Sequence, residues 1–295
     1  MSWNIQRKYY FSYCFESIVR KESNNEHENK SEDILLSLVI PAYNEEERLP
    51  VMLDAALACF KLHRSKIISK CQNHTSSKAT KLQWIVVSDG SIDKTADVVR
   101  KYGSNSNSSD TWILLTLQRN SGKGCAVKTG MLAATGKLRL MVDADGATDF
   151  GTGLELLLEA TSVPVVFGSR AHLVSKAQRS MLRTTLMHAF HFFVELLCSS
   201  NVRDTQCGFK LFTAEAAQSL FQTLHLQRWA FDIELVILAE RLGLAIEEVG
   251  VPWHEVDGSK LDTNKIQLAI VSLGMLRDMI CVRLCYEMGI WKTKR

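Results

Sequence analysis

The chain has 295 residues, 46% of them hydrophobic, which is enough for one large α/β domain or two small domains. The net charge of +3 is too small to indicate a nucleic-acid partner, and no long run of Lys or Arg suggests a basic tail. The eight cysteines include no C-x-x-C pair, so we interpret them as reduced residues of a cytosolic or cytosol-facing protein. No run reaches the roughly 18 uncharged apolar residues of a membrane-spanning helix, and the amino end is not a signal peptide.

The first half of the chain alternates strand and helix patterns. Residues 21–33 are almost wholly polar, so we expect a poorly ordered amino-terminal segment at 1–33. Apolar runs then predict strands at 34–40, 84–87, 112–117 and 138–142, and helices at 46–63, 95–102 and 125–134. Residues 65–81, rich in Ser, Lys, Asn and Thr, are predicted to be an exposed loop. This alternation indicates an α/β fold with a parallel, doubly wound sheet.

The second half is less regular. It predicts strands at 163–167, 211–212 and 245–251, and helices at 176–198, 213–221 and 232–242. Residues 266–291 carry apolar residues at helical spacing, interrupted by charges, so we expect an amphipathic helix that packs on the core or lies in a membrane interface. We therefore divide the chain into an amino-terminal segment at 1–33, one main domain at 34–264, and a carboxy-terminal helix at 265–295.

The strand at 138–142 ends in Asp143-Ala144-Asp145-Gly146. Strand side chains alternate between faces, so the two aspartates project to the same side, at the strand end where open α/β sheets bind ligands. Two hard oxygen donors suit Mg²⁺ or Mn²⁺ carrying a diphosphate. An Asp-x-Asp pair taken alone is more often an acidic turn, so a metal site here needs support from residues elsewhere in the chain.

Other strand ends carry polar groups that a doubly wound sheet gathers on the same edge, namely Asn44/Glu45, Asp89 and Asn120/Lys123. There, Asp89 could accept a hydrogen bond from a base or sugar, and Lys123 could offset phosphate charge. The chain has neither the P-loop spacing nor a G-x-G-x-x-G after the first strand, which counts against a P-loop protein and a dinucleotide oxidoreductase. Basic residues that follow could grip a second phosphate or form a solvated surface: Arg170, Arg179, Arg183, Arg203, Lys210 and Lys260.

These motifs resemble a known family. Pro41-Ala42-Tyr43-Asn44-Glu45, Ser88-Asp89-Gly90-Ser91 and the Asp-x-Asp segment are similar to the nucleotide-sugar signature of inverting family 2 glycosyltransferases. The resemblance implies the GT-A fold, a Rossmann-like, mostly parallel sheet flanked by helices. The motifs at 168–172, 204–212, 228–232 and 258–261 are similar to eukaryotic dolichyl-phosphate β-glucosyltransferases. In that family UDP-glucose donates glucose to dolichyl phosphate at the cytosolic face of the endoplasmic reticulum membrane, for N-linked glycosylation.

The resemblance also implies roles for residues of this chain. Asp89 would contact the uracil, Asp143 the ribose or the metal, and Asp145 would be the principal ligand of Mg²⁺ or Mn²⁺. Arg170 and Arg183 would hold the acceptor phosphate, with Lys210 as a further candidate. The residues implied in donor binding are Pro41, Tyr43, Glu45, Asp89, Lys123, Asp143, Lys210 and Lys260. The residues implied in catalysis are Asp145, Arg170, Arg183 and Asp232, with Glu234 as the alternative to Asp232.

The chain departs from the family pattern at Ser88, where an aspartate is usual, and at Ser121, where an arginine is usual. We also expect that it has no amino-terminal membrane anchor of the family's kind and makes peripheral contact with a membrane surface. We expect a single in-line displacement that needs no strong base, because a phosphate monoester is already largely dianionic at neutral pH. The alternatives are a mannosyltransferase that uses GDP-mannose and a nucleotide-sugar-binding protein without turnover. The sequence does not define an oligomeric state.

Overall fold

The structure is a computed structural model that describes residues 15–21, 34–106, 110–160, 163–172, 202–256 and 265–293, without the side chains of 15–21 and 265–272. The strands are β1 (Phe15–Lys21), β2 (Ile34–Ala42), β3 (Lys81–Asp89), β4 (Thr111–Leu117), β5 (Leu138–Val142), β6 (Val165–Ser169), β7 (Phe209–Thr213) and β8 (Ile246–Gly250). The helices are α1 (Arg48–Thr75), α2 (Thr95–Asn105), α3 (Lys123–Ala133), α4 (Phe150–Glu159), α5 (Ala214–Thr223), α6 (Phe231–Leu242) and α7 (Lys265–Glu287).

The described strands form one sheet in the order β1-β4-β3-β2-β5-β7-β6-β8. Strands β2 to β5 are parallel, which confirms the predicted doubly wound half. Strand β7 runs antiparallel to both of its neighbours, β5 and β6, while β8 is parallel to β6. Because Val142 pairs with Phe209, the residue that precedes β7 lies beside the residue that follows β5. The reversed strand therefore brings a second loop to the edge that carries the Asp-x-Asp pair.

Helices cover both faces of the sheet, so the central strands are buried on both sides. In β3, Ile85 and Val87 pack on the face with α3, α5, α6 and α7, while Trp84 and Val86 pack on the opposite face with α1 and α4. The indole rings of Trp84 and Trp112 stack with their centroids 4.9 Å apart. Burial of both faces explains why the strand sequences are continuous apolar runs instead of alternating ones.

Helix α1 corrects one expectation, because it extends to Thr75 through most of the stretch predicted to be a loop. The chain deviates from helical geometry at His63, where φ is −123° and ψ is 15°, and then continues as helix. Ile67 and Cys71 are four residues apart and both buried, so they share the inner face of this second half. Together with the half-buried Ile68, these two side chains fix the second half of the helix on the core.

The amino-terminal segment contains a strand that the sequence analysis did not predict. Strand β1 lies at the edge of the sheet, antiparallel to β4, with Ile18 opposite Leu115. The remaining residues of 1–33 lie outside the described part of the chain, as does the helix predicted at 176–198.

Helix α7 packs on the core through Met279, Val282 and Tyr286, which are spaced three and four residues apart and buried. The same helix exposes Leu273 and Leu284, which have 66% and 50% of their surface accessible. Among the described helices, none combines the length and the hydropathy that a bilayer crossing requires.

Candidate active site

Two loops after neighbouring strands are fastened together at the carboxyl edge of the sheet. Asn44 has a positive φ of 53°, and its side-chain oxygen accepts a hydrogen bond from the Ile92 N–H at 2.9 Å. The Asn44 N–H donates to the Ser91 hydroxyl at 3.1 Å, and the Glu45 N–H donates to the Thr95 hydroxyl at 2.8 Å. The loops after β2 and β3 therefore form one rigid wall of the site.

The remaining predicted donor-binding residues of the first loop lie on this wall. The Glu45 carboxylate is buried and accepts two hydrogen bonds from the Arg48 guanidinium, at 2.7 and 2.5 Å. Pro41 and Tyr43 are half-buried. Glu45 thus neutralises the first turn of α1, and the exposed parts of Pro41 and Tyr43 border the edge where a nucleotide is predicted.

Asp89 fastens a third loop to this wall. Its two carboxylate oxygens accept hydrogen bonds from the N–H groups of Ser121 and Gly122, at 2.7 and 2.8 Å. Burial raises the pKa of Asp89, while these two N–H groups act in the opposite direction. Gly90 has a φ of 67°, and a Cβ there would lie 2.7 Å from the Arg119 Cα. The structure thus places Asp89 at the predicted edge with both oxygens already engaged by the backbone.

Asp143 and Lys123 form an ion pair across this edge. Lys123 is the first residue of α3, and its Nζ lies 2.7 Å from Oδ1 and 2.8 Å from Oδ2 of Asp143. Oδ1 is buried, and within the described residues it accepts no hydrogen bond of good geometry, so its contact with the ammonium is electrostatic only. A buried carboxylate oxygen in this state is suited to accept a cation.

The loop that precedes β7 is shaped around Asp143. The Asp143 N–H donates to the Gly208 carbonyl oxygen at 3.1 Å. A Cβ at position 208 would overlap with the Asp143 carboxylate, and even its Oδ1 would lie only 2.6 Å away. Glycine is therefore required at position 208 for the carboxylate to keep its place.

Asp145 completes the predicted metal pair. Its Oδ1 accepts a hydrogen bond from the Ala147 N–H at 3.0 Å, which holds the turn after β5. Among the described residues, no three His, Cys, Asp or Glu side chains converge on one point. Two carboxylates on one strand end match the chemistry of Mg²⁺ or Mn²⁺, which take part of their coordination from substrate phosphates and water. The residues present therefore fit a divalent ion that is bound together with a diphosphate.

Behind this pair lies a buried ion pair between Asp232 and Lys210. Lys210 is 0% exposed, and its Nζ donates to Asp232 Oδ1 at 2.5 Å and to the Cys207 carbonyl oxygen at 2.8 Å. Burial raises the pKa of Asp232, and the ammonium groups of Lys210 and Lys123 oppose that effect. The structure thus gives Lys210 a buried role beside Asp232, not the solvent-facing position that phosphate binding requires.

Lys123 connects the two ion pairs. Burial would lower the pKa of Lys123, but the nearby carboxylates of Asp143, Asp232 and Asp145 raise it above its ordinary value. Its Nζ also lies 5.8 Å from the centroid of the Trp229 ring. One ammonium is therefore surrounded by three carboxylates and one indole at the centre of the site.

Arg170 lies on the same side of the molecule as Asp143. Its guanidinium donates from Nε and Nη2 to the two oxygens of Asp204, at 2.8 and 2.9 Å, and stands 5.5 Å from the Trp253 ring centroid. Burial would lower the pKa of Arg170, but Asp204 first and Asp143 more weakly raise it. Arg170 thus has a fixed orientation near Asp143. The other predicted cations, Arg183 and Lys260, lie outside the described residues.

Several functional positions were not assigned from the sequence. Asp204 holds Arg170, and it stands in the motif at 204–212, where it could have been noticed as the only carboxylate. Trp229 lies in the motif at 228–232, but a single tryptophan gives no sign of whether it is buried or borders a site. The alternatives Asp232 and Glu234 are separated by their contacts: Asp232 faces Lys210, whereas Glu234 is bonded to the backbone N–H groups of residues 225 and 226.

The comparisons with known proteins identify a sequence family. The sequence model of the family "Glycosyl transferase family 2" matches residues 37–221. The chain is 45% identical over 281 residues to a dolichyl-phosphate beta-glucosyltransferase of Dictyostelium discoideum, covering 91% of this chain and 80% of that protein. The proteins of the same name from Homo sapiens and Saccharomyces cerevisiae are 42% and 36% identical, over 88% and 92% of this chain and 78% and 80% of theirs.

Solved structures share the fold at low sequence identity. Mannosyl-3-phosphoglycerate synthase from Rubrobacter xylanophilus superimposes with a TM-score of 0.56 at 18% identity, over 89% of this chain and 77% of that one. Glucosyl-3-phosphoglycerate synthase from Mycobacterium tuberculosis, crystallised with Mn²⁺, UDP-glucose and phosphoglyceric acid, gives 0.51 at 20% identity, over 85% and 79%. The GT-A fold is thereby established, and the sequence relatives give the family: the chain belongs to glycosyl transferase family 2, among the dolichyl-phosphate beta-glucosyltransferases.

Proposed function

We propose that the chain transfers glucose from UDP-glucose to dolichyl phosphate, with inversion at the anomeric carbon, to form dolichyl β-D-glucosyl phosphate. The observation that carries this proposal is the 45% identity over 91% of the chain to a protein named for that reaction. The geometry supports it, because Asp89, Lys123, Asp143 and Asp145 meet on one sheet edge and Arg170 lies near Asp143.

The donor half of the site is built for a charged diphosphate. Asp143 and Asp145 would hold a Mg²⁺ or Mn²⁺ ion, which when bound would stabilise the UDP leaving group. Lys123 adds a cation at the start of α3, where the helix dipole also favours negative charge. Asp143, which now pairs with Lys123, would share its charge between that ammonium and the metal. The loop held by Asp89 fixes the place of the nucleotide.

The acceptor half positions a nucleophile that is already charged. Arg170, oriented by Asp204, would bind the acceptor phosphate so that one of its oxygens attacks the anomeric carbon. The phosphate monoester needs no base, because its second pKa is near ~6. Asp232 is bonded to a buried lysine, so we assign it to electrostatic support of Lys123 instead of proton removal. Arg183 and Lys260 keep their predicted roles at the acceptor phosphate and the donor diphosphate.

The test uses the purified full chain with radiolabelled UDP-glucose and dolichyl phosphate, with and without a chelator. We expect a glucosyl lipid that disappears when the chelator removes the divalent ion. Asp145→Asn should abolish transfer while the circular dichroism spectrum stays unchanged, whereas Asp232→Asn should slow transfer less. Because Asp232→Asn leaves Lys210 buried without its counter-ion, the circular dichroism spectrum of this variant is recorded as well. Equal and complete loss of transfer in both variants, with both still folded, would contradict the base-free mechanism. Transfer from GDP-mannose in place of UDP-glucose would identify a mannosyltransferase, and UDP binding without any product would identify a protein without turnover.

We also propose that the chain works at the cytosolic face of the endoplasmic reticulum membrane, because its lipid acceptor resides in a bilayer. Helix α7 supports this, since it exposes the apolar side chains of Leu273, Ile280 and Leu284, a feature that favours membrane interfaces. Replacing both Ile280 and Leu284 by Glu should reduce sedimentation with phospholipid vesicles. Undiminished sedimentation of this variant would exclude α7 as the contact.

A further inference from the structure

The segment 224–230, here called the covering loop, lies directly on the start of α3. The Cys125 N–H donates to the Gln227 carbonyl oxygen at 2.9 Å. A Cβ at Gly124 would lie 2.7 Å from the Leu226 carbonyl oxygen, and a Cβ at Gly122 would lie 2.6 Å from that of Gln227. The backbone of the covering loop therefore packs directly on the backbone at the start of α3. Any shift of this loop towards α3 would displace the helix turn that carries Lys123.

The tip of the covering loop reaches the donor half of the site. Trp229 is 38% exposed, and its ring lies 5.8 Å from the Lys123 ammonium. The positive charge of Arg228 is close enough to Asp89 to oppose the rise in pKa that burial causes there. The covering loop thus borders both the predicted nucleotide position and the predicted diphosphate position.

Glu234 holds the covering loop through hydrogen bonds from the protein interior. The side chain of Glu234 is 0% exposed, and it accepts hydrogen bonds from the N–H groups of His225 and Leu226, at 2.9 and 2.6 Å. It also accepts from the Tyr286 hydroxyl at 2.8 Å and contacts the Nδ1 of His225 at 3.0 Å. One buried carboxylate therefore joins the covering loop to helix α7, which lies far away in the sequence.

The end of α7 closes around the same histidine. The rings of His225 and Trp291 stack with centroids 4.1 Å apart and an interplanar angle of 5°. The Tyr286 ring meets the His225 ring edge-on at 6.0 Å, and the Arg241 guanidinium stands 5.3 Å from the Tyr286 ring. His225 therefore contacts a carboxylate, a phenol and an indole. A loop that only covered the surface of the protein would not need all three contacts.

We propose that Glu234, Tyr286 and Trp291 are positioning residues for the donor: they hold the covering loop against α3 so that Trp229 and Arg228 border bound UDP-glucose. This inference rests on the proposed function and deepens it, because it makes the carboxy-terminal helix part of donor binding. Asp232, two residues before Glu234, points to the site, whereas Glu234 acts only through the loop.

The test uses Trp291→Ala and Tyr286→Phe, with Ile290→Ala as the matched control, because Ile290 adjoins Trp291 and is 62% exposed. UDP affinity is titrated by calorimetry in the presence of Mn²⁺, which needs no turnover. We expect the dissociation constant of UDP and the KM of UDP-glucose to rise about 5-fold in both variants, because Tyr286→Phe removes one hydrogen bond to Glu234 and Trp291→Ala removes the ring that stacks on His225. The KM of dolichyl phosphate should stay as in the control.

Hydrogen exchange of the covering loop supplies the second measurement. The amides of His225 and Leu226 should exchange faster in Trp291→Ala than in Ile290→Ala, because the His225 ring then loses its stacking partner and the covering loop opens more readily. Unchanged UDP affinity in both variants, or equal losses for donor and acceptor together with a lower melting temperature, would overturn the inference. Failure of the wild-type chain to form a glucosyl lipid would instead overturn the proposed function, since the UDP titration remains valid.

Discussion

Replacing Lys210 by Met should destabilise the fold strongly, because the ammonium is completely buried against Asp232. Removing one partner of a buried ion pair costs about 3–5 kcal/mol, since the other charge stays buried without its counter-ion. The loss of the hydrogen bond to the Cys207 carbonyl adds to this cost, and the nearby Lys123 offsets part of it. We therefore expect the free energy of unfolding to fall by about 3 kcal/mol, the lower end of that range.

The measurement is denaturant unfolding followed by tryptophan fluorescence and by circular dichroism. Lys61→Met serves as the control, because Lys61 is an exposed lysine of α1 and its replacement should cost less than about 0.5 kcal/mol. The double variant Lys210→Met with Asp232→Leu replaces the pair by apolar groups, so it should be more stable than Lys210→Met alone. A cost below about 1 kcal/mol for Lys210→Met, or additive costs in the double variant, would refute the buried ion pair.

Three further outcomes follow from the site. Gly208→Ala should abolish transfer and Mn²⁺ binding because its methyl group overlaps with a metal carboxylate, whereas Gly274→Ala, with open space around it, should leave both intact. Asp204→Asn should raise the KM of dolichyl phosphate about 10-fold and spare that of UDP-glucose, because Arg170 loses a charged bidentate partner; equal changes in both would contradict this. Burial raises the pKa of Cys207 to about 11. At pH 8, iodoacetamide should therefore label this thiol more than about 100-fold more slowly in the native chain than in the unfolded chain. Labelling of the native chain should become faster as the pH rises towards 11.

The parallel half of the sheet was predictable because its signal is local. Strand β5 has the predicted bounds, and the other three parallel strands fall within three residues of theirs at each end. Runs of consecutive apolar residues bounded by polar turns occur where both faces of a strand are buried. The gathering of Asp89, Lys123 and the Asp-x-Asp pair on one edge follows from parallel strand order alone.

The remaining features depend on partners that are distant in sequence. The second half of α1 is polar in composition, and its apolar contacts with the core come from Ile67, Ile68 and Cys71, too few to be distinguished from a loop. Lys210 was assigned to a phosphate because it is one of the basic residues that follow the acidic pair and because its motif resembles that of the family. Its burial requires a carboxylate 22 residues further along the chain and a reversed strand, neither of which the spacing of residues reveals.

The antiparallel direction of β7 creates a connection between β6 and β7 whose length and sequence can vary. Because β6 leaves the sheet at the same edge where β7 enters it, the residues between them begin and end at the edge that carries Asp143. Doubling the length of such a connection costs only about 0.6 kcal/mol in chain entropy, so it can be rebuilt without disturbing the nucleotide half. A different acceptor molecule could be bound after replacement of this one segment. The residues of the parallel strands that we propose to bind the sugar nucleotide would stay unchanged.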